Sequence, residues 1–354
     1  MTGLPSPRAD LGLREGYHSA QVDVAVRLNT NESPFPPPLS WQEEVAAAVA
    51  DVSWSRYPDR GALELRAAIA ASHGVRPDQV FAANGSNEVL QALCLAYGGP
   101  GRTALAFEPT YALHSHIAHL TGTAVVSEDR GPDFRLGAAQ VEAAIVRHVP
   151  ALGFLCSPNN PTGLVDAPEV LDAAVASATG LVVVDEAYGQ FAERSALPLV
   201  DDDRPLVVVR TFSKTWALAG LRLGYAVAPA PVVRTLERVS LPYHLDAFKQ
   251  LAGRLALDHE AEMQVRVAAL IAERGRLLDR LGALPVTLWP SQANFVLLRP
   301  ETVTGPEVWK GLVERSVLVR DTSSWPGLEG CLRVTVGTPE EDDRFLAALA
   351  EVLG

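Results

Sequence analysis

Three consecutive apolar runs, each closed by polar residues, constrain this chain more than any other feature. Leu152–Cys156 ends in Ser157-Pro158-Asn159-Asn160-Pro161-Thr162-Gly163. The run 181–184 ends in Asp185-Glu186-Ala187-Tyr188, and the run 206–209 leads into Thr211-Phe212-Ser213-Lys214. Unbroken apolar runs of this length read as strands buried on both faces of a parallel sheet. Open α/β sheets bind ligands beyond the carboxyl ends of their strands, which is where these polar groups stand. One strand ending this way carries little weight, but three in order is a strong signal.

The rest of the chain extends the pattern. Short apolar runs at 80–83, 104–107, 124–126 and 223–227 alternate with helical periodicity. Together they predict an α/β fold with a mostly parallel seven-stranded sheet and helices on both faces. Helical patterns also cover 41–51 and 63–73. After about Pro242 the pattern changes to a long charged helix, 244–281, and strands at 295–298, 317–320 and 332–336. Thr338-Pro339-Glu340-Glu341 then opens a last helix, with Thr at N-cap, Pro at N1 and Glu at N3. The expected organisation is an irregular proline-rich arm over 1–40, a large domain over 41–242, and a smaller α+β domain over 243–354 that the arm joins.

Composition narrows the function. A chain of 354 residues can bury a large core and suggests two domains. A net charge of −12 argues against nucleic acid and anionic membrane surfaces as partners. No apolar stretch approaches the roughly 20 residues of a membrane span, and no basic-then-apolar signal segment opens the chain. Cys94, Cys156 and Cys331 are scattered without metal-type spacing and suit reduced thiols, so a cytoplasmic protein is expected. His114, His116 and His119 invite a metal reading. On a helix the first two lie about 200° apart, however, and no third ligand converges. No metal is expected, and the three histidines read as partly exposed positions on the helix after Tyr111.

Lys214 is the candidate nucleophile. A buried lysine sheds its charge readily and becomes the amine that Schiff-base chemistry requires, although an isolated Ser-Lys pair usually lies on a surface. The hydroxyls of Thr211 and Ser213, with Arg222 two helical turns on, could hold a phosphate beside it. A second anion site is suggested by Asn84-Gly85-Ser86-Asn87-Glu88, which stands between a strand and a helical pattern. A glycine-serine turn opening a helix presents free N–H groups to an anion, but Ser86 could equally be an ordinary N-cap.

Asn160-Pro161-Thr162-Gly163, Asp185-x-x-Tyr188 and Ser213-Lys214 followed by Arg222 stand in the order and spacing of a known family. The chain resembles the fold-type I, class I/II aminotransferases that depend on pyridoxal 5'-phosphate. This resemblance implies that Lys214 is the Schiff-base lysine and later the base that moves the proton between Cα and C4′. Asp185 would hold the pyridine nitrogen protonated, as the cofactor's electron-sink role demands. Asn160 and Tyr188 would bond the ring's 3-oxygen. Gly85, Ser86, Asn87, Thr211, Ser213 and Arg222 would contact the phosphate, and Tyr111 would stack on the ring unless it is simply core. Tyr57, in Arg56-Tyr57-Pro58, would reach the phosphate of a neighbouring subunit, which implies a homodimer with shared sites.

Matches from about Tyr17 to the last helix resemble, within that family, the histidinol-phosphate branch. They include Leu28-Asn29-Thr30-Asn31-Glu32-Ser33-Pro34, Val319-Arg320-Asp321 and the stretch from Gly330 to Thr338. By that resemblance Arg333 receives an anionic substrate group. Arg320 adds a second cation or forms a structural ion pair, and Tyr17 and Asn294 line the pocket. The chain departs from the branch at Ser33, where asparagine is usual, at Pro36-Pro37-Pro38, and at Asn87, where aspartate is common. The implied substrates are an amino-phosphate donor, L-histidinol phosphate, and a 2-oxo acid acceptor, 2-oxoglutarate. A broad aromatic-amino-acid aminotransferase and a threonine-phosphate decarboxylase-like lyase are the alternatives.

Overall fold

The computed structural model describes residues 8, 20–131 and 133–354. Among the described residues, twelve strands form two sheets. In chain order they are β1 (Val26–Leu28), β2 (Val80–Ala83), β3 (Thr103–Glu108), β4 (Ala124–Asp129), β5 (Leu152–Cys156) and β6 (Leu181–Asp185). They continue with β7 (Leu206–Thr211), β8 (Gly224–Val227), β9 (Val286–Leu288), β10 (Phe295–Pro300), β11 (Val317–Asp321) and β12 (Leu332–Thr335).

The large sheet has the order β2-β8-β7-β6-β5-β3-β4. Its pairs are parallel except those made by β8, which runs antiparallel to both neighbours. This is the mostly parallel seven-stranded sheet the sequence predicts. Alternation of side chains across the pleat explains the unbroken valine runs. Val183, Val207 and Val209 pack into the core on one face, while Val182, Val184 and Val208 pack into the core on the other. Burying each such side chain contributes about 1.5–3 kcal/mol.

The small sheet has the order β1-β11-β12-β10-β9. β1 comes from the N-terminal segment and pairs in parallel with β11, Val26 opposite Val317, so the arm is stitched into this sheet. The last helix, Pro339–Leu353, begins as its sequence predicts. Thr338 caps it by accepting from Glu341 N at 3.2 Å, and the Glu341 carboxylate returns the bond to Thr338 N at 2.9 Å.

The long charged helix expected over 244–281 is instead two helices, Ala247–Leu257 and Glu260–Leu281. Asp246 sets the start by accepting from Lys249 N at 2.7 Å, which leaves His244 outside to bond Ala82 O at 3.0 Å. The break at Asp258-His259 has a tertiary cause. His259 turns its Nε2 to Glu44 at 3.1 Å, on the helix Leu39–Ala48, and that contact overrides a periodicity that would otherwise run on. No helix among the described residues is long and apolar enough to cross a membrane.

Candidate active site

The carboxyl ends of β5, β6 and β7 open into a cavity of about 350 Å³, closed on its other side by the arm and by β12. Asn160, Asp185, Tyr188, Thr211, Ser213, Lys214, Arg222, Arg333, Ser86, Asn87 and Tyr111 all line it.

One end is shaped for an anion. Thr211 Oγ1 donates to Ser213 Oγ at 3.0 Å, and Arg222 Nη1 donates to the same oxygen at 3.3 Å. Opposite them the helix Ser86–Tyr97 begins, and the first N–H groups of a helix lack intrahelical partners. Its N-cap is Gly85 rather than Ser86, and Gly85 has φ +83°. A Cβ added there would stand 2.8 Å from Arg222 Nη2, and one added at Gly224 would run into the backbone nitrogen of Ser86. The two glycines therefore keep a bare cradle of backbone and guanidinium. Asn87 Oδ1 accepts from the Tyr111 hydroxyl at 3.1 Å, which ties the cradle to the cavity wall.

Asp185, the last residue of β6, lies at the cavity floor and is only 2% exposed. Its Oδ1 accepts from Ala187 N at 3.0 Å, and its Oδ2 lies 3.0 Å from His114 Nε2. The sequence reading of His114 as partly exposed is thereby corrected: it is fully buried, stacked on Phe154 with ring centroids 4.9 Å apart and edge-on to Tyr111. The reason lies in the helix Leu113–Leu120, where His114, Ile117 and Ala118 form the inward face. That i, i+3, i+4 apolar spacing was the available signal. His116 and His119 are half-buried.

Lys214 stands between the two ends. Its Nζ donates to Thr30 O at 3.0 Å and sits 5.8 Å from the centroid of the Tyr188 ring. The amine opens into the cavity, yet the protein packed around it pulls its pKa down to about 7, with burial the main cause. Arg333 and Arg222 push the same way, and Glu32 pushes against them. The Lys214 ammonium thus gives up its proton far more readily than an ordinary lysine.

The arm completes the wall. Asn31 Nδ2 donates to the Tyr188 hydroxyl at 2.8 Å, and Thr335 Oγ1 donates to Asn31 Oδ1 at 3.0 Å. Arg333, 1% exposed, donates to Asn160 Oδ1 at 2.6 Å and to Asn29 O at 2.8 Å. Thr30, Asn31 and Glu32 line the cavity beside the residues the sequence singles out. Their only signal was the resemblance of the segment that carries them.

Among the described residues, Gly85 forms the turn behind the cradle, and three further expected residues stand apart from this cavity. Asn294 is buried behind the arm, where its Nδ2 donates to Asn31 O at 3.1 Å. Arg320 is opposite Arg333 in the β11–β12 register, with its guanidinium 5.8 Å from the Trp325 ring centroid. Tyr57 is 79% exposed and stacks on Tyr243 at 4.6 Å. Tyr17 lies outside the described residues.

A model of the family "Aminotransferase class I and II" matches residues 23–349. The chain belongs to the class I and II aminotransferases. It is an enzyme that transfers amino groups, and its cofactor is pyridoxal 5'-phosphate. Among its relatives, the histidinol-phosphate aminotransferase of Frankia casuarinae is 48% identical over 366 residues, covering 99% of this chain and 91% of that one. The histidinol-phosphate aminotransferase of Mycolicibacterium vanbaalenii is 42% identical over 99% of each chain. In fold, this aminotransferase resembles the histidinol-phosphate aminotransferase of Sinorhizobium meliloti solved with pyridoxal-5'-phosphate. That likeness has a TM-score of 0.85 at 24% identity, over 93% of this chain and 91% of the other.

The cavity of this aminotransferase fits such a cofactor. An anion cradle that a single Cβ would fill, a carboxylate at the floor and a readily deprotonated amine between them match a phosphate, a pyridine nitrogen and an aldehyde in turn.

Proposed function

We propose that the chain moves the amino group of L-histidinol phosphate to 2-oxoglutarate, giving imidazole-acetol phosphate and L-glutamate in histidine biosynthesis. The 48% and 42% identity to histidinol-phosphate aminotransferases over nearly the whole chain carries this reading beyond the family, and the cavity suits it with two arginines in its lining. Arg222 serves the cradle, whereas Arg333 is buried in the cavity wall and fixed by Asn160 and Asn29 O. A cofactor phosphate needs only the first. The second suits a substrate that brings its own anion, a phosphate in one half-reaction and a carboxylate in the other.

Gly85, Ser86, Asn87, Thr211, Ser213 and Arg222 would hold the cofactor phosphate, Asp185 the ring nitrogen, Asn160 and Tyr188 the ring oxygen, and Tyr111 the ring face. Bound pyridoxal 5'-phosphate supplies an electron sink that stabilises negative charge at the substrate Cα. The protein does the rest. The Lys214 amine would hold the cofactor aldehyde, and its Nζ would be the base that carries the proton between the substrate Cα and the cofactor C4′. Asp185 is held in place by Ala187 N and His114, so its carboxyl group is aimed at one point. Arg333 fixes the substrate anion, and with it the Cα bond presented to Lys214.

The chain is read as one half of a homodimer. Tyr57 is directed away from its own cavity, and Trp54, Leu63 and Leu241 are exposed large apolar residues, 63–77% accessible. Tyr57 would then complete the phosphate cradle of the second copy. Its three cysteines are free and buried, which suits a reducing cytoplasm.

The test is steady-state turnover of the purified holoenzyme with 2-oxoglutarate and three donors in parallel. A kcat/KM for histidinol phosphate well above that for phenylalanine supports the reading. A preference for phenylalanine moves the enzyme to the aromatic group, and carbon dioxide release from threonine phosphate would make it a lyase.

A further inference from the structure

Two carboxylates line the cavity among the described residues, Asp185 and Glu32. Asp185 is engaged at the floor by His114 and Ala187 N. Glu32 is different: it is exposed, it stands on the arm at the mouth, and its Oε2 accepts from Thr30 Oγ1 at 2.9 Å. That one bond leaves most of its acceptor capacity, since an ionised carboxylate has about four lone-pair sites. Cations dominate the remaining charge of the cavity, with Lys214, Arg222 and Arg333 all lining it. Glu32 acts on Lys214 through space, opposing the two arginines. A carboxylate at the mouth of a site for anionic substrates is unfavourable for anion binding and calls for a reason.

The substrate provides one. With its phosphate on Arg333 and its amino carbon at Lys214, an amino-phosphate leaves its remaining substituent to the rest of the cavity wall, to which Glu32 belongs. An imidazole there carries an N–H donor, and it gains a second N–H and a positive charge near neutral pH. We propose that Glu32 is the specificity-determining residue of this site, accepting the imidazole N–H of the substrate with its remaining acceptor capacity. This rests on the histidinol-phosphate reading and deepens it. A phenyl ring in the same place has no donor to offer the carboxylate, so the group favours one ring over the other.

Thr30 has a supporting role. Its carbonyl holds Lys214 Nζ at 3.0 Å while its hydroxyl holds Glu32 at 2.9 Å, so the nucleophile and the ring acceptor share one residue as their support. The distance from amine to ring acceptor is thereby set by the local arm backbone, which Asn31 pins to Tyr188 and Thr335.

The test compares L-histidinol phosphate with L-phenylalaninol phosphate, which keeps the phosphate and amine but lacks the ring N–H. Wild-type holoenzyme, Glu32→Ala and Glu32→Gln are assayed with both. The ratio of kcat/KM for the two substrates should fall about 10- to 100-fold in Glu32→Ala, as expected for a hydrogen bond to a charged acceptor. Glu32→Gln, which keeps a carbonyl acceptor, should recover part of that ratio. A binding readout accompanies it: calorimetry on the holoenzyme with 3-(imidazol-4-yl)propyl phosphate and 3-phenylpropyl phosphate should show the same loss of discrimination. Equal losses for both rings would assign Glu32 to Lys214 or to the arm and overturn the proposal, as would no change for either ring. Failure of the wild type to turn over histidinol phosphate at all would instead remove the underlying reading, and the proposal with it.

Discussion

Nε2 of His114 stands 3.0 Å from Oδ2 of Asp185, and the two side chains are 0% and 2% exposed. The other ring nitrogen, Nδ1, is buried without a hydrogen-bond partner among the described residues. The hydrogen-bond network therefore assigns the proton to Nε2, donated to Asp185, because the opposite tautomer would bury an unpaired N–H. The ring is clamped by Phe154 and Tyr111, so it works as a fixed donor behind the carboxylate. In the proposed arrangement His114 is a positioning residue that would act on the cofactor through Asp185.

His114→Phe keeps a flat ring on Phe154 and removes the donor. A hydrogen bond to a charged group is worth about 1.5–3 kcal/mol, so kcat should fall roughly 10- to 100-fold while the protein remains folded. The pH at which the bound cofactor changes its visible absorbance should shift as well. A fall in kcat with an unmoved spectral titration would make His114 a packing residue only.

Gly85→Ala addresses the cradle. Any side chain at φ +83° is strained, and this one also meets Arg222 Nη2 at 2.8 Å. Strain of about 1–3 kcal/mol should weaken pyridoxal 5'-phosphate binding roughly 10- to 100-fold, read by equilibrium dialysis. Unchanged affinity would place the phosphate elsewhere.

Arg333→Ala should raise KM for histidinol phosphate by about two orders of magnitude, in line with loss of a buried charged partner, and change cofactor affinity far less. Because Arg333 also holds Asn29 O and Asn160, Arg333→Lys is the milder companion. It keeps the charge, loses the two-pronged geometry, and should fall between wild type and alanine. A KM unchanged in both variants would remove Arg333 from the substrate site.

Lys214 gives the pH dependence. Its folded-state pKa of about 7 lies below the ordinary lysine value of 10.5. Protonation therefore favours the unfolded chain: the penalty is present in full below about 7 and is relieved as pH rises from there toward the unfolded value. Cofactor-free protein should take up pyridoxal 5'-phosphate at a rate that falls as pH drops through about 7, because the ammonium is no nucleophile. Over the same alkaline range its Tm should rise more than that of Lys214→Met. Uptake that stays flat down to pH values well below 7 would mean that the amine is far less basic than its surroundings require.

The sequence makes the polar ends of three strands legible, because they follow the apolar runs that end at Cys156, Asp185 and Thr211. Each strand end is a local event, and local patterns survive in sequence. What escapes depends on distant contacts. His114 is a polar residue on a histidine-rich helix, and only its partner, 71 positions away, gives it meaning. The break at His259 depends on Glu44, and the two three-residue strands β1 and β9 are too short to show a period. The antiparallel direction of β8 likewise has no counterpart in its composition. Glu32 reads as one more exposed acid until the fold sets it on the wall of the Lys214 cavity.

The most direct test of the central claim is a single-turnover absorbance titration of the yellow holoenzyme with L-histidinol phosphate. The account predicts loss of the yellow band at low substrate concentration, its return on addition of 2-oxoglutarate, and neither band nor turnover in Lys214→Ala. A yellow band that persists through saturating histidinol phosphate, or one that survives in Lys214→Ala, would contradict it.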